Sequence, residues 1–163
     1  ESLNSLDRFI SLYPASTDIG YAYYLKSLNY FYQIEDVERD QSMTEIALNS
    51  FQNVINKYPD TSFANDAKGK IDILNDRLAA KEMEVARYYQ FSKNWISAIN
   101  RYNTVLDKYK TSIYTAEALH RLVEIYYSLG LTSESEKYAS TLGYNFPNSE
   151  WYKKSYKIVN SNS

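Results

Sequence analysis

An all-α fold of repeated helix pairs is predicted for this 163-residue chain by three observations. Four Gly and three Pro leave few turn signals of the kind hairpins need, while Leu, Ala, Lys, Glu and Asn in period favour helices. Apolar residues recur at steps of three and four, the spacing that gathers side chains on one helix face. A third sign is repetition, since "INKYPDTSFANDAKGK" (55–70) has a near-echo in "LDKYKTSIYTAEALHR" (106–121). Eighteen Tyr suit shallow interfaces, because each ring wants burial and each hydroxyl wants a partner.

The repeat is legible by offset. Taking Pro14, Pro59, Lys110 and Pro147 as zero, the minus-one column reads Tyr13, Tyr58, Tyr109 and Phe146. Minus five reads Phe9, Val54, Val105 and Leu142; minus eight reads Leu6, Phe51, Tyr102 and Ala139; minus twelve reads Ser2, Ala47, Ala98 and Ser135. Steps of four, three and four put these residues on one helix face, with a small residue where a second helix can approach. Closed by Pro, that pattern is the second helix of a tetratricopeptide (TPR) unit.

First helices are expected upstream, through Leu119, Leu122, Val123 and Tyr126 in one unit and Glu82, Val85, Ala86 and Tyr89 in another. Gly130 falls at the turn of the last pair and Trp95 opens a second helix. In the pair ending at Pro59, about eight extra residues within "IEDVERDQSM" read as a solvated charged loop. The zero positions lie 45, 51 and 37 residues apart, against about 34 for a standard unit. The longest gap is explained by one overlong helix, residues 62–92, whose stripe Phe63, Ala67, Ile71, Leu74, Leu78, Val85, Tyr89 only Glu82 interrupts.

The expected organisation is a single TPR-like α-solenoid fragment. Residues 1–14 supply the second helix of an incomplete pair, 18–59 a pair with the charged insertion, 62–110 the pair with the long helix, 112–147 another pair, and 149–159 a capping helix. Joints at Asp60-Thr61-Ser62, Lys110-Thr111-Ser112 and Asn148-Ser149 offer side-chain oxygens to the free amides of the next helix. The capping helix should turn Trp151, Tyr152, Tyr156 and Val159 inward and its lysines outward. Because a second helix cannot bury its stripe alone, and residue 1 is Glu, we expect further sequence upstream.

Chemistry is sparse. A formal charge of −2 without a basic block lacks the electrostatic footprint of nucleic-acid binding. No apolar run approaches a membrane span, and without Cys there is neither disulfide nor thiolate metal site. The single His, His120, stands three residues after Glu117, the spacing used in di-iron bundles. One such motif cannot furnish a dinuclear site, so a surface His120 near Glu124 is expected, with no cofactor, no metal and no catalytic residue. Binding chemistry is expected instead on helix faces. Tyr23 and Tyr88 are candidates for a peptide groove lined by first helices. Arg101, between stripe positions Ala98, Tyr102 and Val105, should point outward with Thr104 and Lys108.

These residues resemble a known family. "LDRFISLYP" (6–14), "DRLAAKEMEVARYY" (76–89) and "WISAINRYNTVLDKY" (95–109), in this order and with the interrupted pair between them, resemble the BamD family, TPR lipoproteins of the outer-membrane β-barrel assembly (BAM) machinery. The resemblance implies five TPR pairs, of which this chain holds the last three and half of the one before, the lipidated Cys lying outside it. It implies a non-enzymatic protein on the periplasmic side of the outer membrane, held there by a lipid anchor missing from this chain. Its implied partners are the BamA-like barrel subunit, other BAM lipoproteins and unfolded outer-membrane proteins. Arg101 matches the family's Asn-Arg segment, associated with BamA. Tyr and Asn richness, and Lys110 where Pro is usual, depart from the family pattern.

Two other readings compete. A different periplasmic TPR adaptor of the cell envelope would show regular spacing, which the 51-residue gap contradicts. An enzyme with an unrecognised site would have to rely on His120, so hydrolase activity lost in His120→Ala would reveal it.

Overall fold

The computed structural model describes residues 2–34 and 41–161, so most of the expected charged loop, positions 35–40, lies outside the described residues. Among those described, the backbone forms eight helices and no strand. They are α1 (Ser2–Leu12), α2 (Ile19–Gln33), α3 (Gln41–Lys57), α4 (Ser62–Phe91), α5 (Trp95–Lys108), α6 (Thr115–Ser128), α7 (Thr132–Asn145) and α8 (Glu150–Val159). The fold is therefore all-helical, as TPR-like folds are. Residues 1–77 and 78–163 form two compact units, with α4 contributing to each.

In the first unit the repeat columns become core. Ala47, Phe51 and Val54 of α3 are buried and cluster with Ala67 and Leu74 of α4. Each large apolar side chain buried this way contributes about 1.5–3 kcal/mol. Tyr23, Tyr24, Phe31 and Phe63 surround the cluster, half-buried, with Tyr24 stacked on Phe63 and tilted against Phe51, which Phe31 meets edge-on. Their polar ends find partners: Tyr24 donates its hydroxyl to Asp66, and burial together with that carboxylate raises the phenol well above its ordinary value. The buried Ser27 hydroxyl meets Ser50 at 2.7 Å, so small polar residues let α2 and α3 approach closely without an unpaired group. α1 is different. It buries no residue, and Tyr13 remains 58% exposed. Its ties to α2 include two polar ones, from Lys26 to Asp7 and from Ser2 to Asn29.

In the second unit the columns from α5 and α7 are likewise buried: Ala98, Tyr102 and Val105, then Ser135, Ala139 and Leu142. The α5 set packs with Ala79, Met83 and Ala86 of α4 and Ala118, Leu122 and Ile125 of α6. Leu142 joins Ala116 and Leu119, with Phe146, Trp151 and Tyr152 against them. Ser135 fills the small position and donates to the Val123 carbonyl at 3.0 Å.

Turn chemistry fixes the helix ends. Gly130 (φ 73°) ends α6 in a Schellman motif, its N–H bonding Tyr127 O while the N–H of Leu131 bonds Tyr126 O. Lys93 (φ 59°) ends α4 with the same pair of bonds, to Gln90 O and from Asn94 to Tyr89 O. At the joints, Thr61 accepts from the amide of Ala64 and Ser149 from that of Tyr152. Ser112 instead accepts from Tyr114, stabilising the turn before α6, and α6 itself has no side-chain cap. On α8 one expectation is corrected: Tyr156 is 56% exposed, and the fully buried position belongs to Ser155. One residue's rotation places the small hydroxyl, rather than the second Tyr, at the close approach to α6.

Candidate partner-binding site

The outward face of α5 carries the three residues singled out for partner binding. Arg101 and Lys108 are exposed and Thr104 is half-buried. Thr104 spends its hydroxyl on the Asn100 carbonyl at 3.0 Å, while Lys108 lies in the last turn of α5, where its charge suits the helix dipole. Arg101 is held: its Nη1 reaches the two carboxylate oxygens of Glu82 on α4 at 3.0 and 3.3 Å. Hydrogen bonding to Glu82, then its charge, raises the guanidinium above its ordinary value. Glu82, the one interruption in the α4 stripe, has a side chain only 15% exposed, against 45% for Arg101. The acid is shielded and the base faces out, so α5 displays a positioned guanidinium.

The two Tyr candidates are placed unequally. Tyr23, in the first unit, is half-buried, with its ring beside Tyr58 and the Lys57 ammonium 5.2 Å from its centroid. It is largely committed to packing. Tyr88, in the second unit, is 67% exposed and touches Tyr89 edge-on, leaving most of its ring free for contact.

The sequence reading missed a partly buried ionic network. Arg87 of α4 grips Glu117 of α6 through two bonds of 3.0 and 2.8 Å, and Arg121 bonds both Glu117 and Glu124. Gln90 donates to Glu124 at 3.1 Å and accepts the Tyr102 hydroxyl at 2.7 Å. Burial works to raise the Glu124 carboxyl, yet hydrogen bonds from His120, Arg121 and Gln90 hold it down to about 2. Burial pushes the Tyr102 phenol up to about 12, outweighing Arg121 and Arg87. Above the network opens a cleft of about 640 Å³ whose walls include Tyr127 and Lys157. The spacing Glu117, Arg121, Glu124 was readable as an i, i+4, i+7 ladder, but nothing local to α6 reveals Arg87 as its partner.

His120 is a correction. It is 2% exposed, not on the surface. Its Nδ1 lies 2.8 Å from the Ser155 hydroxyl on α8 and its Nε2 lies 3.2 Å from Glu124, and the ring rests beside Trp151. Arg121 and Lys154 both approach the Trp151 ring, at 5.5 and 4.7 Å. Ser, His and Glu in a row invite comparison with a nucleophile and its base. Ser155, however, is wholly buried, so a substrate carbonyl cannot reach its hydroxyl. The arrangement fastens α8 to α6. Glu117, paired with His120 in the sequence motif, turns instead to Arg87, and among the described residues no group of three or more His, Cys, Asp or Glu could hold a metal.

Comparison with known proteins points to one family. The family model YfiO, described as "Outer membrane lipoprotein", matches residues 1–142. The chain is similar to the outer membrane protein assembly factor BamD of Rickettsia prowazekii (strain Madrid E), at 51% identity over 98% of this chain and 63% of that protein. It is similar to the BamD of Caulobacter vibrioides at 46% identity over 99% of this chain and 53% of the relative, and to that of Xylella fastidiosa (strain 9a5c) at 31% over 94% and 56%. The chain thus spans between about half and two thirds of the length of these curated relatives. On this match the chain belongs to the YfiO family of outer membrane lipoproteins.

Proposed function

We propose that the chain is part of a non-enzymatic scaffold subunit of the BAM complex, binding the BamA-like barrel subunit and assisting folding and insertion of outer-membrane proteins. The observation that carries the reading is the near-complete coverage of this chain by relatives named as outer membrane protein assembly factors. Membership of an outer membrane lipoprotein family assigns it to the periplasmic side of that membrane. The lipid anchor, the contacts with other BAM lipoproteins and the handling of unfolded barrel strands belong to the same proposal.

Its mechanism is presentation. TPR-type hairpins hold helix faces rigid, so a partner meets side chains that have already given up their conformational freedom. Arg101 supplies the clearest case, because its bond to Glu82 fixes the guanidinium before any partner arrives while leaving it nearly half exposed. Lys108 and Thr104 lie along the same helix and extend the face.

The test is capture of a BamA-type periplasmic domain by this chain. R101E alone would set two carboxylates against each other at Glu82, confounding binding with stability. The swap E82R/R101E restores an internal pair while reversing the displayed charge. We expect the swap to keep its melting temperature and lose about tenfold or more in affinity. Unchanged capture by a folded swap variant would remove Arg101 from the interface.

A further inference from the structure

We propose that a groove between α5 and α7 docks an acidic protein segment presenting a bulky apolar side chain. The groove has a volume of about 570 Å³ and is lined by Leu106 of α5, Leu119 of α6, and Tyr138 and Phe146 at α7 and its end. Leu119 is buried where these three elements converge, while Leu106, Tyr138 and Phe146, packed against it, stay half-buried and face the groove. Space of that size accommodates an aromatic ring and its flanking backbone.

Charge selects among occupants. The two charged residues that line the groove are both lysines, Lys110 beyond the end of α5 and Lys137 on α7. Glu134 approaches Lys137 at 4.0 Å only, in an exposed pair that holds its partner weakly. Thr115, Thr141 and Asn145, also in the lining, donate to backbone carbonyls within the chain, so the charge selection falls to the two ammonium groups, with Thr111 as a neutral polar neighbour. A partner offering carboxylates on both sides of a Phe or Trp satisfies the apolar lining and the lysines together. A basic or purely apolar segment satisfies one at the expense of the other. This inference does not rest on the assembly reading, which concerns the Arg101 face.

The probe is a capped peptide, Asp-Glu-Phe-Asp-Glu, titrated into the ¹⁵N-labelled chain, beside one with Phe replaced by Ala and one with its acids replaced by Lys. Saturable shifts centred on Leu119, Tyr138 and Thr141 are expected with the acidic Phe peptide. Both controls should bind at least about tenfold more weakly. K110E/K137E should weaken the acidic peptide by a similar factor, and T141W, at an exposed position, should fill the groove and abolish the shifts while leaving circular dichroism and melting unchanged. The proposal is overturned if the acidic peptide leaves these resonances unmoved, if the lysine peptide binds as well, or if either variant binds normally. Concentration-dependent dimerisation abolished by T141W would also overturn it, assigning the groove to a second copy of the chain.

Discussion

Gly143 of α7 lies so close beneath the Tyr152 ring of α8 that a methyl group there would stand 2.6 Å from Cε2 and 2.9 Å from Cζ. Tyr152 is half-buried and set edge-on against Tyr156, so the ring has limited room to yield. Gly143→Ala is therefore expected to destabilise by about 1–3 kcal/mol through overpacking, even though Ala is the better helix former. In a Tyr152→Leu background the same change should cost little or become stabilising. Urea unfolding of the four proteins of this cycle measures the difference, and a cost that persists without the ring would refute the contact as its cause.

Lys93 and Gly130 close their helices with the same two hydrogen bonds and the same left-handed backbone, but only one of them is glycine. A side chain at this conformation costs about 1–2 kcal/mol, whereas introducing glycine loosens the unfolded chain by roughly 0.4–1 kcal/mol. The first effect is larger. Lys93→Gly should raise stability by roughly 0.5–1 kcal/mol, and Gly130→Ala should lower it by a comparable amount. Thermal unfolding at fixed pH tests both, and a destabilised Lys93→Gly would mean that the Lys93 side chain contributes contacts that outweigh its backbone cost.

Most of the helical pattern was written in short-range spacing, because a helix that buries one stripe must repeat apolar residues at three and four. Ala47, Phe51 and Val54 show it in α3, and Ala98, Tyr102 and Val105 in α5. What local spacing could not reveal was pairing at a distance. Glu82 looked like a flaw in its stripe until Arg101, 19 residues on, was found answering its charge. His120 looked like a surface residue because its neighbours Glu117, Arg121 and Glu124 are charged, yet those charges are satisfied inward by one another and by Arg87. The lysine-flanked groove is also a tertiary product, since its lining comes from α5, α6 and α7 together.

The link between His120 and Ser155 predicts a coupled pair. His120→Phe keeps a ring beside Trp151 but removes the partner of a buried hydroxyl, so it should cost about 1–3 kcal/mol. Ser155→Ala in that background removes the stranded hydroxyl and should recover part of the loss, giving a coupling of about 1 kcal/mol. Amide exchange in α8 should accelerate in the single His120→Phe variant. Strict additivity of the two changes would show that the hydrogen bond does not fasten α8.

Acid should act through Glu124. Its carboxyl sits at about 2 in the folded chain, against an ordinary value of 4.5, because its bonds to His120, Arg121 and Gln90 outweigh the burial that opposes them. A depressed value means that the unfolded chain takes up this proton first, so the contribution is fully present above about pH 4.5 and is lost as pH falls toward 2. Other carboxylates also titrate there, and for that reason the informative quantity is the difference between the wild-type chain and Glu124→Gln. The amide lacks the charge at every pH, giving a constant offset in neutral solution, whereas the carboxylate alone adds slope. Urea midpoints measured from pH 6 to pH 2 should therefore converge for the two proteins as pH drops. Parallel curves across that range would mean that Glu124 is protonated alike in the folded and unfolded chains and that the network around it does not hold its charge.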